Sequence, residues 1–397
     1  MLAVSAAPAA AAERIEKAAL GPVPEKAMAA EYSRDGLHLA FGQRTTAGFI
    51  VVVDGKPGET YDQVDAFSFS PDSSRLGHSA RRDTNWFAVI DGKPGPNFED
   101  IAVRSIVFSR NNRRVAYGAQ RAERWHMVVD GEIGPAWDAL DAVVFSPDSS
   151  RYAYRAKQGN VWHLVADGKT SEPFDGLGNP AFSPDGKRIA FACKKGSKWA
   201  MMVDGKPDPA HDFASNPVFS PDGRQLAYIA GAPGAQSVIL NGKALTLHDG
   251  IGANSITFSP DGKRLAYVAV KDKKQFLVLD GKPGPAYERV NGVTFSPDGK
   301  RIAHRAMKAE KEWCVVVDGK EGMIFDQPGG FAFSPDGRHV ASIGHKDGKY
   351  VIVVDGAIQG QYDSINPFGP KYHPDGTLEY LVIQDSTLYR VKHLAGK

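Results

Sequence analysis

Ten acidic residues recur at one place in a long series of repeats: Glu25, Asp62, Glu99, Asp138, Asp175, Asp212, Asp249, Glu288, Asp326 and Asp363. The last nine each follow an aromatic residue or a histidine, as in Tyr61-Asp62, Trp137-Asp138, His211-Asp212 and His248-Asp249, while Pro24 precedes Glu25. Set around a ring, these carboxylates would form a rim at a channel mouth that attracts cations or a basic peptide. The competing reading is structural. Each acid would accept hydrogen bonds from its own turn, or pair with an arginine that recurs after a tight turn: Arg75, Arg114, Arg151, Arg188, Arg264 or Arg301. A feature present in every repeat more often builds the repeat than binds a ligand, so the structural reading leads. The same reasoning makes Trp86, Trp125, Trp162, Trp199 and Trp313, with Phe49 and Tyr350, packing residues between repeats.

A second set of residues is basic and varies from repeat to repeat. Nine short connections, beginning at Arg44, Arg81, Gln120, Lys157, Lys194, Gly231, Lys271, Lys308 and His345, carry 16 Lys or Arg against 6 Asp or Glu. The whole chain has 48 basic and 46 acidic side chains and a net charge of +2, so any field that selects a partner must be local. Arg81, Arg82, Arg121, Arg124, Lys194, Lys195, Lys198, Lys271, Lys273 and Lys274 are the candidate basic face. It would be an outer crown around the inner acidic ring. A polyanion such as nucleic acid, a lipid headgroup or an acidic protein could dock there; the alternative is a set of solvated hairpin tips. The tips lack aromatic residues, which disfavours single-stranded nucleic acid held by stacking.

Other chemistries find no motif. A serine hydrolase needs a Gly-x-Ser-x-Gly elbow and an α/β domain around it, and neither the elbow nor the residues for such a domain are present. The run Gly176-Leu177-Gly178-Asn179-Pro180-Ala181 imitates a dinucleotide fingerprint but joins strand to strand, where that motif needs a helix. There is no His-Glu-x-x-His, no Cys-x-x-Cys pair and no EF-hand loop, so no cofactor and no metal is expected. Cys193 and Cys314 fall in different repeats and read as small buried side chains rather than a disulfide.

The elements that must position these residues follow from the repeat. An aromatic-Ser-Pro-Asp-Gly phrase returns with its aromatic at Tyr32, Phe69, Phe108, Phe145, Phe182, Phe219, Phe258, Phe295, Phe333 and Tyr372, at steps of 37 to 39 residues. Around Phe258 the period reads as four strands: A over 255–259, B over 264–270, C over 275–279 and D over 285–290. Pro-Asp-Gly turns A into B, a charged loop over 271–274 joins B to C, and Asp280-Gly281 turns C into D. Four antiparallel strands per period specify propeller blades. After Tyr372 the chain has strands B and C but no D, whereas Gly21-Pro22 stands before Tyr32 as an isolated D. The expected fold is therefore all-β: a single closed β-propeller of about ten four-stranded blades, the last completed by the N-terminal strand, which removes two exposed edges. Two five-bladed rings in tandem are the alternative. Residues 1–14 form an Ala-rich leader like the tail of a secretory signal, and residues 15–397 form the propeller.

The run Phe-Ser-Pro-Asp-Gly-Lys-Arg-Leu-Ala-Tyr over 258–267, echoed over 182–191 and from Phe295, resembles the PD40 (WD40-like) repeats of TolB-type β-propellers, which also form the propeller of prolyl-oligopeptidase-like peptidases. The resemblance spans about residues 21 to 394. The chain departs from TolB in its repeat number, its Val-Asp-Gly-Lys-Pro-Gly phrase and its lack of an added N-terminal domain. One such fold hosts many activities. The expected function is a non-catalytic scaffold that binds a protein, or an extended and polyanionic ligand, on its loop-bearing face or at the channel mouth. The alternative is an enzyme with a site in the central channel. The resemblance and the leader together imply a periplasmic or secreted protein, with a cytoplasmic one as the alternative.

Overall fold

Strands rich in Val, Ile, Ala and Tyr, punctuated by Asp-Gly turns, give each repeat one antiparallel sheet of four strands. The computed structural model describes residues 14–22, 28–35, 38–141, 143–365, 369–385 and 387–394. Among them lie ten sheets, which in chain order begin at Met28, Gln63, Asp100, Ala139, Gly176, Phe213, Gly250, Arg289, Gln327 and Ser364. Each has the strand order of a propeller blade. Neighbouring sheets approach through the third strand of one and the first strand of the next, and the fourth strands of the first, seventh and ninth sheets also lie against the second strand of the sheet that follows.

The seventh sheet shows the boundaries. Its first strand is two short pieces, Gly250–Ile251 and Thr257–Phe258, on either side of Asn254, whose φ is 55°. The second strand is Leu265–Lys271, the third Lys274–Leu279 and the fourth Lys282–Tyr287. The fourth strand thus starts directly after the Asp280-Gly281 turn, earlier than the expected 285–290. Val290 already belongs to the first strand of the next sheet, Arg289–Phe295. The proline-rich start of this strand hid it, because its prolines lie on an outer edge where a missing N–H costs nothing.

The core lies between sheets. Ala227, Ile229 and Val238 of the sixth sheet pack with Ile251, Phe258, Tyr267 and Val278 of the seventh. Second strands are accordingly buried on both faces, as Leu265–Lys271 is along nearly its whole length. Ala190, Ala192 and Met201 of the fifth sheet meet Phe219, Leu226 and Tyr228 of the sixth in the same way, so the packing continues through the middle of the chain. Cys193 and Cys314 are both buried and free, and burial raises both thiol pKa values.

The recurrent turn does two jobs. Within it the Ser259 hydroxyl donates to Asp261 Oδ1 at 2.5 Å and accepts the Arg264 N–H at 3.0 Å, while Asp261 Oδ1 also accepts the Lys263 N–H. Between sheets the turns nest. A Cβ on Gly186, whose φ is +70°, would stand 2.4 Å from Asp148 Oδ1 of the preceding sheet. The arginine after the turn then links two sheets. Arg264 Nε donates to Asp280 at 2.9 Å, its NH1 donates to the carbonyl oxygen of Lys300 at 3.1 Å in the next sheet, and its guanidinium lies 5.5 Å from the Phe295 ring centroid. This corrects the sequence expectation for Arg75, Arg114, Arg151, Arg188, Arg264 and Arg301. They pair with the turn aspartates Asp91, Asp130, Asp167, Asp204, Asp280 and Asp318, on the face opposite the nine recurrent acids from Asp62 to Asp363.

At the ends, Arg14–Pro22 runs antiparallel to Thr387–Leu394, from Arg14 opposite Leu394 to Pro22 opposite Thr387. It is the fourth strand of the tenth sheet, as its isolated position before Tyr32 predicts. The strand starts at Arg14, and residues 1–13 of the leader lie outside the described residues.

Two outcomes follow from the turns. Gly186→Ala meets both a left-handed φ and the Asp148 carboxylate, and should lower stability by roughly 1–3 kcal/mol. Gly196→Ala, at φ +61° with open space around it, should cost only about 1 kcal/mol of backbone strain; thermal midpoints of the two variants check the difference. In Asp185, Asp222, Asp261, Asp298 and Asp336 the turn serine hydroxyl, and after it a turn amide, holds the carboxyl below the ordinary Asp pKa of 3.8. A depressed folded pKa means stability that is present above the unfolded value and lost as pH falls through the folded one. Stability should therefore decline in acid below that ordinary value, and changing Asp185, Asp222, Asp261 and Asp298 together to Asn should flatten the slope of unfolding free energy against pH there. An unchanged slope would remove these carboxyls from the linkage.

Candidate functional site

The hairpins between second and third strands share a face with the links from each fourth strand to the next first strand. Their tips are two-residue turns, shorter than the four or five residues expected. Ala122-Glu123 and Asp272-Lys273 have positive φ at both positions, the conformation that matches strand twist in the tightest hairpins. In consequence Arg81, Arg82, Arg121, Arg124, Lys194, Lys195, Lys198, Lys271 and Lys274 are strand ends, and of the basic candidates only Lys273 stands in a turn.

The recurrent acids cap these turns. Asp62, Glu99, Asp138, Asp175, Asp249, Glu288 and Asp326 each sit just before a first strand with their own N–H on a carbonyl near the end of the second strand, as Asp62 N–H bonds to the Arg81 carbonyl and Asp175 N–H to that of Lys194. This brings the carboxylate over the hairpin. Asp62 accepts the Asp83 N–H, Glu99 those of Ala122 and Glu123, Asp138 that of Gly159, Asp175 that of Gly196, Asp249 that of Asp272, Asp326 that of Asp347 and Asp363 that of Asp385. The donors belong to the following hairpin and not, as the sequence predicts, to the acid's own turn. Those two amides lower the Glu99 pKa, and the Lys349 ammonium together with the Asp385 N–H lowers that of Asp363. At Asp212 the corresponding hairpin contains Pro233, which has no N–H, and the carboxylate pairs with Lys198 instead. Glu288 pairs with Lys274. Glu25 lies outside the described residues. The aromatic partners Tyr61, Phe98, Phe174 and Phe325 are buried, and His248 packs edge-on against Tyr267 and Phe276.

An inner acidic ring separate from an outer basic crown is not what results. The two signs interleave: Arg124 pairs with Asp138 at 3.3 Å, Lys349 with Asp363 at 2.6 Å, Arg82 with Glu59 at 2.6 Å and Lys195 with Glu172 at 2.9 Å. Arg81 and Arg121 lie over the rings of Trp86 and Phe98. Lys194, Lys271 and Lys273 have no ion pair among the described residues.

The opposite face carries the nested Ser-Pro-Asp-Gly turns, next to the converging first strands. Their aspartates are exposed, Asp185 by 54% and Asp298 by 37%, and they form a collar of residues that the repeat phrase itself names and that variation between loops does not mark. The collar opens into a concavity of about 560 Å³, lined by Arg34 and Asp35 of the first sheet, Pro297 of the eighth, Phe333 of the ninth, and Lys371 and Tyr372 of the tenth. The repeat is broken there. Arg34 replaces the turn proline, and Lys371 is the one cation at a position held elsewhere by Glu31 and by small or β-branched residues such as Ser68, Val107 and Ala332. The Ser33 hydroxyl donates to Asp35, while Arg34 and Lys371 have no acidic partner among the described residues.

A further departure lies in the tenth sheet. Glu379, 2% exposed, occupies a position held by Ala or Gly in the nine other sheets. Its carboxylate meets His373 Nε2 at 2.8 Å, Arg390 Nε at 3.1 Å and Lys392 Nζ at 3.4 Å. In the seventh sheet the same face, Ala266 and Leu277, packs against Phe295 and Ile302 of the next sheet. Each of these residues is visible in the sequence only as an exception to the repeat.

No family model matches the chain, and no curated protein matches it. Among solved structures it is similar to a eukaryotic initiation factor (12% identity, covering 82% of this chain and 96% of the other, TM-score 0.48). It is also similar to the Dos1 propeller (10% identity, 97% and 95% covered, TM-score 0.38) and to the Cps50 (Swd1) β-propeller domain of Myceliophteria thermophila (12% identity, 64% and 96% covered, TM-score 0.31).

Proposed function

We propose that the ten sheets close into one ring and that this ring is a non-catalytic scaffold whose binding site is the channel mouth at the junction of the tenth and first sheets, where it takes an acidic stretch of a partner protein. The observation that carries the reading is the concavity of about 560 Å³ to which sheets from both ends of the chain contribute. Its uncommitted side chains are the cations Arg34 and Lys371, beside the aromatic rings of Phe333 and Tyr372. A carboxylate-rich segment is the complement of that lining, and a preformed ring spares the binding step the entropy of ordering its own scaffold.

Closure into one ring is supported by the N-terminal strand on the tenth sheet and by the burial of Glu379 on the face that elsewhere meets a following sheet. The unbroken packing between the fifth and sixth sheets favours one ring over two. The non-catalytic reading draws support from the histidines whose pKa values burial lowers most, His78 and His304. Both stand on second strands among aromatic side chains, away from the first strands that face the axis.

A fluorescein-labelled peptide of alternating glutamate and glycine, followed by fluorescence anisotropy, tests the site. The intact protein and a Lys194→Ser, Lys271→Ser, Lys273→Ser variant should bind it alike, and an Arg34→Ser, Lys371→Ser variant should bind roughly tenfold more weakly or worse, a loss of about 1.4 kcal/mol. Loss in the first variant with retention in the second would move the site to the hairpin face. No binding to the intact protein would end the acidic-partner reading.

A further inference from the structure

Between the seventh and eighth sheets, on the side of the outer strands, runs a groove of about 540 Å³, within the roughly 300–1,000 Å³ typical of small-molecule sites. Its walls are apolar: Leu277, Leu279 and Pro283 from the seventh sheet and Ile302 from the eighth. His304 lines it too. That side chain is 4% exposed, and neither ring nitrogen has a hydrogen-bond partner among the described residues. The ring packs edge-on against Tyr287 with centroids 6.2 Å apart, and burial pushes its pKa down to about 4. At neutral pH it is an uncharged imidazole with one donor and one acceptor nitrogen. Buried polar groups are nearly always satisfied, so an orphan donor and acceptor at a cavity wall call for a ligand group.

The repeat explains the space. At the His304 position five other sheets carry tyrosine, and the tyrosine reaches across to the outer strand of the preceding sheet. Tyr228 donates to Asp208 at 2.7 Å, and Tyr117 Oη stands 3.3 Å from where a Cβ on Gly95 would be. Gly284 holds the corresponding place opposite His304, and within 4 Å of its own Cβ position there is only the Leu277 carbonyl oxygen. The shorter imidazole leaves the far end of the tyrosine's volume unfilled.

The rim is positive. Its carboxylates, Asp280 and Asp318, are held by Arg264 and Arg301 at 2.9 and 2.8 Å. Lys300 is 3.6 Å from Asp298, and Lys282 has no ion pair among the described residues. Two related grooves lack the combination. The one beside His78, between the first and second sheets, has about 140 Å³. The one between the sixth and seventh sheets, of about 390 Å³, is lined by Tyr267, whose hydroxyl lies 3.4 Å from His248 Nε2.

We propose that the groove between the seventh and eighth sheets binds a small amphipathic anion, with its apolar body against Leu277, Leu279 and Ile302, a hydrogen-bonding group on the His304 ring and its acidic group beside Lys282 and Lys300. The probe is anilinonaphthalene sulfonate, which has an aromatic body, an N–H and a sulfonate, titrated against the intact protein by fluorescence. One saturable site with enhanced emission is expected. His304→Tyr, which restores the residue the repeat uses elsewhere, should weaken binding roughly tenfold or more while the thermal midpoint holds or rises. Lys282→Ser with Lys300→Ser should weaken it about fivefold and reduce its salt dependence, and His78→Tyr should change nothing. If His304→Tyr lowers the midpoint, His304→Phe takes its place, removing both ring nitrogens without a hydroxyl. Unaltered affinity in a folded His304 variant, or no saturable binding to the intact protein, overturns the proposal.

Discussion

The fold depends on a guanidinium that belongs to two sheets at once. A four-stranded sheet of this size has little core of its own, and each sheet here acquires one only by lying against its neighbours. Arg264 and its equivalents hold that arrangement in register: one edge of the guanidinium is fixed by the aspartate of its own sheet, another by turn carbonyls of the next sheet, and its plane covers that sheet's aromatic residue. As an exposed ion pair the contact would contribute little. Its effect comes from combining a fixed fork, backbone acceptors across the boundary and an aromatic face in one planar group, which a lysine could not do. In the sixth sheet Gln225 and Asn241 keep the same geometry without charge, Gln225 reaching the Gly262 carbonyl oxygen and Asn241 accepting the Leu226 N–H. Geometry, more than charge, is what the second to eighth sheets share, while His38 and His339 in the first and ninth keep only the bond to their own turn aspartates.

Much of this architecture is legible in the chain because the constraint repeats. The aromatic-Ser-Pro-Asp-Gly phrase marks each inner turn, the Asp-Gly pair each outer one, and the missing last strand points to the N-terminal segment. What the chain hides is which acid meets which base. Arg75 and Asp62 look like partners by proximity in sequence, yet the length of one strand sets them on opposite faces, where Arg75 finds Asp91 and Asp62 finds a backbone amide. The hairpin charges mislead for a related reason: counted as loop residues they are a basic crown, but paired across strand ends most of them meet an acid or an aromatic ring.

The candidate functional residues are written in the exceptions. Arg34, Lys371, Glu379 and His304 are conspicuous only when ten sheets can be superposed, because each replaces a residue whose structural duty is known from its counterparts. A pattern search of a single sequence values recurrence and passes over them. Glu379 shows how far an exception can go: a buried carboxylate with three basic neighbours stands where alanine suffices elsewhere, and such a group is tolerated only when every charge in it is met.

The strand Arg14–Pro22 has a consequence in time. Sheets one to nine are made of neighbouring residues and can assemble in the order in which the chain is synthesised, but the tenth needs the first strand and the last together. Bringing such distant segments to each other adds only about 0.6 kcal/mol of closure entropy for each doubling of the intervening length, so the demand is one of order more than of energy. Until Thr387–Leu394 has left the ribosome, Arg14–Pro22 has no edge to join, and the edge it will finally cover does not yet exist. A nascent chain of this kind carries an unpaired strand while all the intervening sheets are made, and a second nascent chain nearby offers that strand the same edge.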